Sequence, residues 1–166
     1  MAYAEGTLVA AEKSRSEIEA LVQKYAGRDA DFTYGKSCGQ AGISFVAKAR
    51  RVQFMLPLPT MEEAKQEARD RRAPSRAPSP ARCEEWLEKE TRRRWRCLLL
   101  IIKAKFAAVE IWEELGQGDA AKTAFDREFL SHIVSQDGKT IWDTITSMPG
   151  QKLLTAAPDA DSKKSR

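Results

Sequence analysis

The fold is decided by residues 83–115, whose sequence is CEEWLEKETRRRWRCLLLIIKAKFAAVEIWEEL. Large apolar side chains recur in this segment at every third or fourth position, which is the spacing of one face of an α-helix. They are Trp95, Leu98, Ile102, Phe106, Val109 and Trp112. Gly116 and Gly118 end the pattern. A continuous helix over this segment would be about 50 Å long, so we expect one end to project from the domain or to bend.

Upstream of this helix the apolar pattern changes to the alternation that is typical of strands with one buried face. The alternating residues are Phe32 and Tyr34, then Ile43, Phe45 and Ala47, then Val52, Phe54, Leu56 and Leu58. Turn-forming residues between these runs predict three antiparallel strands. Residues 7–11 would add a fourth strand, or alternatively form an extended arm. The sequence therefore predicts an α+β fold with a three- or four-stranded antiparallel sheet.

Further helices are predicted on both sides of the sheet. Ser14 and Glu17 have the spacing of a capping box, and an amphipathic stretch follows them and ends at Gly27. Towards the C-terminus, apolar residues at helical spacing and a cap formed by Thr140 and Asp143 predict short helices. We expect the sheet to be packed by an N-terminal helix and the long central helix, with short C-terminal helices.

The size of the chain favours one domain. It has 166 residues, of which 42% are hydrophobic, enough for a single core. We assign residues 1–148 to a single α+β domain and the polar residues 149–166 to a disordered tail. Residues 60–82 contain three prolines among arginines and small residues, which predicts a flexible linker in which 61–72 form at most a frayed helix.

Cysteine usage and hydropathy exclude several protein classes. Cys38, Cys83 and Cys97 are far apart and form no CxxC pair, so neither a disulfide framework nor a zinc site is indicated. The first residues lack the pattern of a signal peptide, and the strongest apolar run, 97–102, is much shorter than the ~20 residues of a membrane span. We expect a cytoplasmic protein.

Residues that could carry catalysis are few. His132 is the only histidine and lies between Leu130 and Ile133, which favours a structural role over a catalytic one. A metal or nuclease site would have to use carboxylates that are near only in sequence: Asp126, Glu128, Asp137 and Asp143. No phosphate-binding loop, dinucleotide fingerprint, zincin motif or nucleophile elbow occurs. We predict no catalytic residue, no metal, no cofactor and no enzymatic activity.

The charge of the chain favours an anionic partner. The net charge is +4 and the pI is about 9.0. The run RRRWR at 92–96 would present Lys89, Arg93, Arg96 and Lys103 on one side of the helix. Acidic residues four positions earlier would pair with several of these cations, which leaves Arg93, Arg96 and Lys103 without such a partner. The alternative is an ordinary solvated helix face.

A second basic group falls at the predicted turn between the last two strands. Together the two groups define a predicted nucleic-acid-binding surface: Lys48, Arg50, Arg51, Arg93, Arg96 and Lys103. This surface requires the fold to bring both groups to the same side. In the alternative, the helix surface binds a host protein, with Trp112 or Trp142 as anchors.

Five segments carry a resemblance to a known group of proteins. They are AYAEGT at 2–7, EKSRSEIE at 12–19, FMLPLP at 54–59, RWR at 94–96 running into IKAK at 102–105, and FLSHI at 129–133. With the linker left out, residues 2–142 resemble a family of small uncharacterised proteins encoded by phages, prophages and other mobile elements. The resemblance implies an accessory protein in a bacterial host cell, which handles nucleic acid or binds a host defence protein.

Overall fold

The computed structural model describes residues 9–26, 32–37, 39–70, 79–116 and 123–147. In chain order the elements are α1 (Ala11–Ala26), β1 (Phe32–Ser37), β2 (Gln40–Ala47), β3 (Arg50–Pro57), α2 (Met61–Asp70), α3 (Pro80–Leu115), α4 (Ala124–Phe129), a 3₁₀ turn (Leu130–His132) and α5 (Ile141–Ser147). The predicted α+β class with an antiparallel sheet is confirmed. The predicted tail at 149–166 lies outside the described residues.

The strands pair in the order β1-β2-β3, and both pairs are antiparallel. Phe45 in the middle strand lies opposite Phe32 on one side and Val52 on the other. The far edge of β3 is extended by a short bridge, in which Val52 pairs with Ile133 and the Val134 amide donates to the Arg51 carbonyl at 2.8 Å. The C-terminal segment therefore covers part of an edge that would otherwise expose unpaired backbone groups.

The turn between β2 and β3 consists of two residues with positive φ, Lys48 at 49° and Ala49 at 60°. Two consecutive left-handed residues match the right-handed twist of a hairpin, but this conformation is strained for residues that have a Cβ. The predicted fourth strand at 7–11 is not tested in full, because residues 7 and 8 lie outside the described residues. Ala11 already belongs to α1.

The core lies between one face of the sheet and the helices α1, α3 and α4. Phe45, Phe106 and Phe129 are almost completely buried, and the ring centroids of Phe106 and Phe129 are 5.0 Å apart. The predicted apolar stripe of the long helix is confirmed as core from Trp95 to Val109. Its last member, Trp112, is 37% exposed, so the core assignment was wrong there.

Two predictions about helix starts need correction. Helix α1 begins at Ala11, so Ser14 is not its cap but a buried residue of the first turn, whose amide donates to the Ala10 carbonyl at 3.3 Å. Helix α3 begins at Pro80, because a proline needs no hydrogen bond in a first turn. At α5 the predicted cap is confirmed, since the Asp143 amide donates to Thr140 Oγ1 at 3.1 Å.

The stretch that the sequence assigned to a flexible linker, 60–82, contains helix α2 and the first residues of α3. A reciprocal capping box starts α2. The Thr60 amide donates to Glu63 Oε2 at 3.2 Å, and the Glu63 amide donates to Thr60 Oγ1 at 3.2 Å. The helix packs against α3, and Ala64 and Cys83 are both buried. Packing supplies the stability that the isolated helix would lack. Residues 71–78 lie outside the described residues.

Helix α3 has 36 residues, which corresponds to about 54 Å. It contacts α1, α2 and α4 along its length and the sheet through β3. None of the helices among the described residues is long and apolar enough to cross a membrane.

Candidate interaction surfaces

The basic hairpin tip is bound to two helices. The Lys48 ammonium pairs with Glu113 of α3, and Arg50 makes a bidentate pair with Asp126 of α4, at 3.0 Å for both hydrogen bonds. The arginine lowers the pKa of Asp126 below its usual value. Arg51 remains exposed. Lys48 and Arg50 therefore already have a carboxylate partner.

The predicted pairs at four-residue spacing along α3 are confirmed, and they join Lys89 to Glu85, Arg92 to Glu88 and Arg94 to Glu90. Glu90 also accepts a hydrogen bond from Arg93 at 2.7 Å. Desolvation raises the pKa of Glu90, but the hydrogen bonds from Arg93 and Arg94 outweigh it, and the pKa lies below its usual value. Three of the four arginines of the RRRWR run thus contact a carboxylate of their own helix, and two of them share Glu90.

Arg96 pairs with a residue that sequence spacing could not indicate. Its Nη1 lies 2.8 Å from Glu17 Oε2 on α1. Lys103, two turns further along the same side of α3, is exposed. The carboxylate that contacts the hairpin tip, Glu113, is 17 residues beyond Arg96, or about 25 Å along the helix. The six predicted residues therefore form two separate groups, one in the middle of α3 and one at the hairpin tip beside its C-terminal end.

A cavity of about 310 Å³ lies between the hairpin tip, the end of α1, α3 and α4. Its wall contains Tyr25, which stacks on Phe106 with the ring centroids 4.3 Å apart. Lys24 and Glu110 at its margin form an ion pair of 3.1 Å. The volume is at the lower limit for a ligand pocket, and the nearby charges compensate each other, so the cavity shows no preference for an anion.

His132 is half-buried and stacks on Phe54, with the ring centroids 4.0 Å apart. Desolvation and the nearby ammonium of Lys105 lower the pKa of the imidazole. The side chain is therefore neutral at pH 7 and acts as an aromatic packing residue, which agrees with the structural role that we inferred from its sequence neighbours.

The carboxylates considered for a metal site each contact a different partner. Asp126 binds Arg50, Glu128 accepts from the Trp112 indole at 3.2 Å, and Asp143 caps α5 through Thr140. Asp137 accepts from the Ser135 hydroxyl and the Lys139 amide. Within the described ranges, no group of three or more histidine, cysteine, aspartate or glutamate side chains could hold a metal ion.

A feature that we did not predict is an apolar line on the outward side of α3. We call it the outer stripe; its members are Cys97, Ile101, Ala104, Ala108, Ile111 and Leu115. The steps between them alternate between four and three residues, which is the heptad spacing of coiled coils. Ile101, Ile111 and Leu115 are 49%, 52% and 76% exposed. The heptad spacing of these residues was visible in the sequence, but we interpreted only the other apolar line of the helix, from Trp95 to Trp112, as significant.

The rim of the outer stripe is held in place by side-chain contacts. Trp112 lies beside the stripe, donates to Glu128 and carries the guanidinium of Arg127 at 4.3 Å from its ring centroid. These contacts fix an exposed aromatic ring without covering it completely.

In comparisons with protein families, curated proteins and solved structures, no family model, no curated protein and no solved structure matches this chain. Function is therefore inferred from the surfaces of the chain itself. Of these, the outer stripe is apolar and exposed, whereas most of the predicted basic residues have carboxylate partners.

Proposed function

We propose that this chain is a non-enzymatic protein-binding module whose outer stripe receives a helix of a protein partner. The observation that carries the proposal is the exposure of Ile101, Ile111 and Leu115 at heptad spacing on one side of α3. Single apolar residues scattered over a surface are common in monomeric proteins. A line of large apolar residues along one side of a helix is instead typical of an interaction site.

The spacing also indicates what kind of partner fits. Heptad positions form the holes that receive side chains from a facing helix. Ala104 and Ala108 stand at the centre of the stripe, where small side chains permit a close approach of two helices, and the isoleucines on either side would act as anchors. A helix is therefore the element that the stripe fits best.

The second candidate is association with nucleic acid through the six predicted basic residues. In its favour, the side chains of Lys48 and Arg50 remain 48% and 50% exposed despite their ion pairs, and Lys103 is exposed. A phosphate could contact these cations from the solvent side. We place it second because the phosphate would compete with carboxylates already in place, and because the two groups are far apart.

In either case we propose an accessory protein of a phage or mobile element that acts in the cytoplasm of a bacterial host cell. The outer stripe supports the version in which this accessory protein binds a protein rather than nucleic acid. This setting comes from the resemblance of segments such as 54–59 and 129–133.

The experiment is site-specific photo-crosslinking in a nuclease-treated bacterial lysate. A benzophenone amino acid replaces Ile111 in one sample and Lys103 in the matched control, which is exposed on the same helix but outside the stripe. We expect a protein adduct from position 111 only, lost when Ile101→Asp is added. If position 111 gives no adduct, or if both positions give the same one, the proposal is wrong.

Binding assays with the purified protein test the second candidate. If the chain associates with nucleic acid, labelled duplex or single strands should bind at ~50 mM salt, and this binding should weaken as the salt concentration rises. The variant with Lys48→Glu and Lys103→Glu should lose this binding, whereas Ile101→Asp should retain it.

A further inference from the structure

The outer stripe has nearly the same order of side-chain sizes in both directions. A two-fold axis through its centre exchanges Ala104 with Ala108 and Ile101 with Ile111, and it exchanges the end members Cys97 and Leu115. In a symmetric dimer each contact is made twice, and this order of sizes would place similar side chains opposite one another. In an antiparallel helix pair these would be the facing layers.

The charges of α3 disfavour the parallel arrangement. Residues 82–96 carry six basic and four acidic side chains, and parallel pairing would place this net positive segment beside its own copy, which is unfavourable. Antiparallel pairing keeps the two segments apart. Glu110 and Glu113 pair with Lys24 and Lys48 at the cavity rather than at the outer stripe.

The exposed area agrees with a reversible dimer. With the exposed fractions of Ile101, Ile111, Leu115 and Trp112, each copy offers roughly 400–600 Å² of mainly apolar surface. Two copies would bury about 1,000 Å², near the lower limit for specific interfaces. Such an area is compatible with a dissociation constant in the micromolar range.

We infer that the partner helix is α3 of a second copy of this chain, packed antiparallel along the outer stripe. This inference rests on the proposed function, because it names the occupant of the same surface. The alanines of the central layers let the two backbones approach, and the isoleucine layers on either side exclude water from the interface. Repulsion between the net positive segments 82–96 of the two copies disfavours the parallel direction.

The first test is sedimentation of the purified full chain over a range of about 5 to 500 µM. We expect a monomer–dimer equilibrium that shifts towards dimer as the protein concentration rises. The variant Ile101→Asp with Ile111→Asp should be monomeric with an unchanged circular dichroism spectrum, and Lys103→Glu, outside the stripe, should keep the dimer. A wild-type chain that stays monomeric overturns the inference.

The second test fixes the direction of the helices. Leu115→Cys in a Cys38→Ser background places thiols at positions 97 and 115, which are about 27 Å apart within one chain but adjacent between antiparallel copies. Mild oxidation should give a dimer with bonds between positions 97 and 115 of the two copies. Bonds that join 97 to 97 indicate a parallel dimer and contradict the proposal.

The two proposals fail in different ways. If the chain is monomeric and position 111 crosslinks to another protein, the second copy is excluded as the occupant while the protein-binding function stands. If the chain is monomeric and no adduct forms, both are wrong. If the dimer forms, an adduct of twice the chain mass is expected from position 111.

Discussion

The guanidinium of Arg50 and the carboxylate of Asp126 face each other in a bidentate pair, with Nε 3.0 Å from Oδ1 and Nη2 3.0 Å from Oδ2. Arg50 is the first residue of β3 and Asp126 lies on α4, so the pair joins the hairpin to the C-terminal part of the chain. The fold thus uses a residue that we expected to be an open phosphate ligand as a link between two elements.

Replacing Asp126 by Asn should lower the free energy of unfolding by about 0.5–1 kcal/mol at pH 7, the usual contribution of a well-oriented surface pair. The pKa of Asp126 is lowered from 3.8 by Arg50. The contribution is therefore complete above about pH 4 and disappears as the pH falls through the lowered pKa. Urea unfolding at pH 7 and near pH 2.5 should show a smaller difference between the two proteins at the lower pH.

The control for this pair is a double-mutant cycle with Arg50→Gln. If the effects of the two substitutions add without a coupling energy, the contact does not stabilise the protein.

The hairpin turn offers a substitution that should increase stability. Ala49 has a φ of 60°, a left-handed conformation that costs an alanine about 1 kcal/mol and a glycine very little. We expect Ala49→Gly to raise the free energy of unfolding by about 0.5 kcal/mol, since the more flexible unfolded chain offsets part of the gain. Thermal or urea unfolding measures it. Ala47→Gly, at the buried end of β2, is the matched control and should destabilise the protein.

Arg94 connects three elements that the sequence treated separately. Its guanidinium donates to Glu90 in its own helix at 3.0 Å, to Glu63 of α2 at 2.9 Å and to the carbonyl of Pro57 at the end of β3 at 3.0 Å. A lysine ammonium cannot span these three acceptors, because it lacks the planar fork of an arginine.

Arg94→Lys should therefore cost about 1–2 kcal/mol, with the largest effect on α2. Hydrogen exchange is the measurement, and the amides of Met61–Asp70 should exchange faster while those of the sheet change little. The control is Arg92→Lys, which loses only an exposed pair with Glu88. Equal exchange in both variants would show that α2 is held by other contacts.

Periodicity predicted the elements that depend on local pattern. The buried line from Trp95 to Val109 and the alternation around Phe45 are confirmed, because a core face imposes its spacing on the sequence whatever it packs against. The stability of helix α2 was underestimated, because it does not depend on a local pattern. Its stability comes from docking on α3 rather than from its own residues, although the capping box of Thr60 and Glu63 was a local signal for its start.

The charge balance of Arg50 and Arg96 could not be derived from the sequence, because their partners lie far along the chain. Arg93 has a partner three positions earlier, Glu90, which a search at four-residue spacing missed. Arg96 has no acid four positions earlier, but Glu17 reaches it from α1. Arg50 pairs with Asp126, which lies 76 residues further along the chain. Spacing rules count partners on the same helix, so they overestimated the uncompensated charge. The outer stripe, by contrast, is a local pattern that a search for a second heptad line would have found.

The last prediction concerns His132, whose lowered pKa has a consequence for stability. Desolvation, followed by the charge of Lys105, disfavours the imidazolium in the folded protein, whereas in the unfolded chain the group titrates near its ordinary pKa of about 6.5. Protons therefore bind preferentially to the unfolded state. The stability contributed by neutral His132 is complete above about pH 6.5 and falls as the pH is lowered towards the reduced pKa.

We expect the free energy of unfolding to decrease from pH 7.5 to about pH 5.5, where the carboxylates are still ionised. His132→Phe keeps an aromatic ring against Phe54 and should remove this slope, because phenylalanine does not titrate. The measurement is urea unfolding at several pH values, supported by the NMR titration of the imidazole protons. If the variant retains the slope, or if the imidazole titrates at or above 6.5, the half-buried histidine does not make the folded state sensitive to pH.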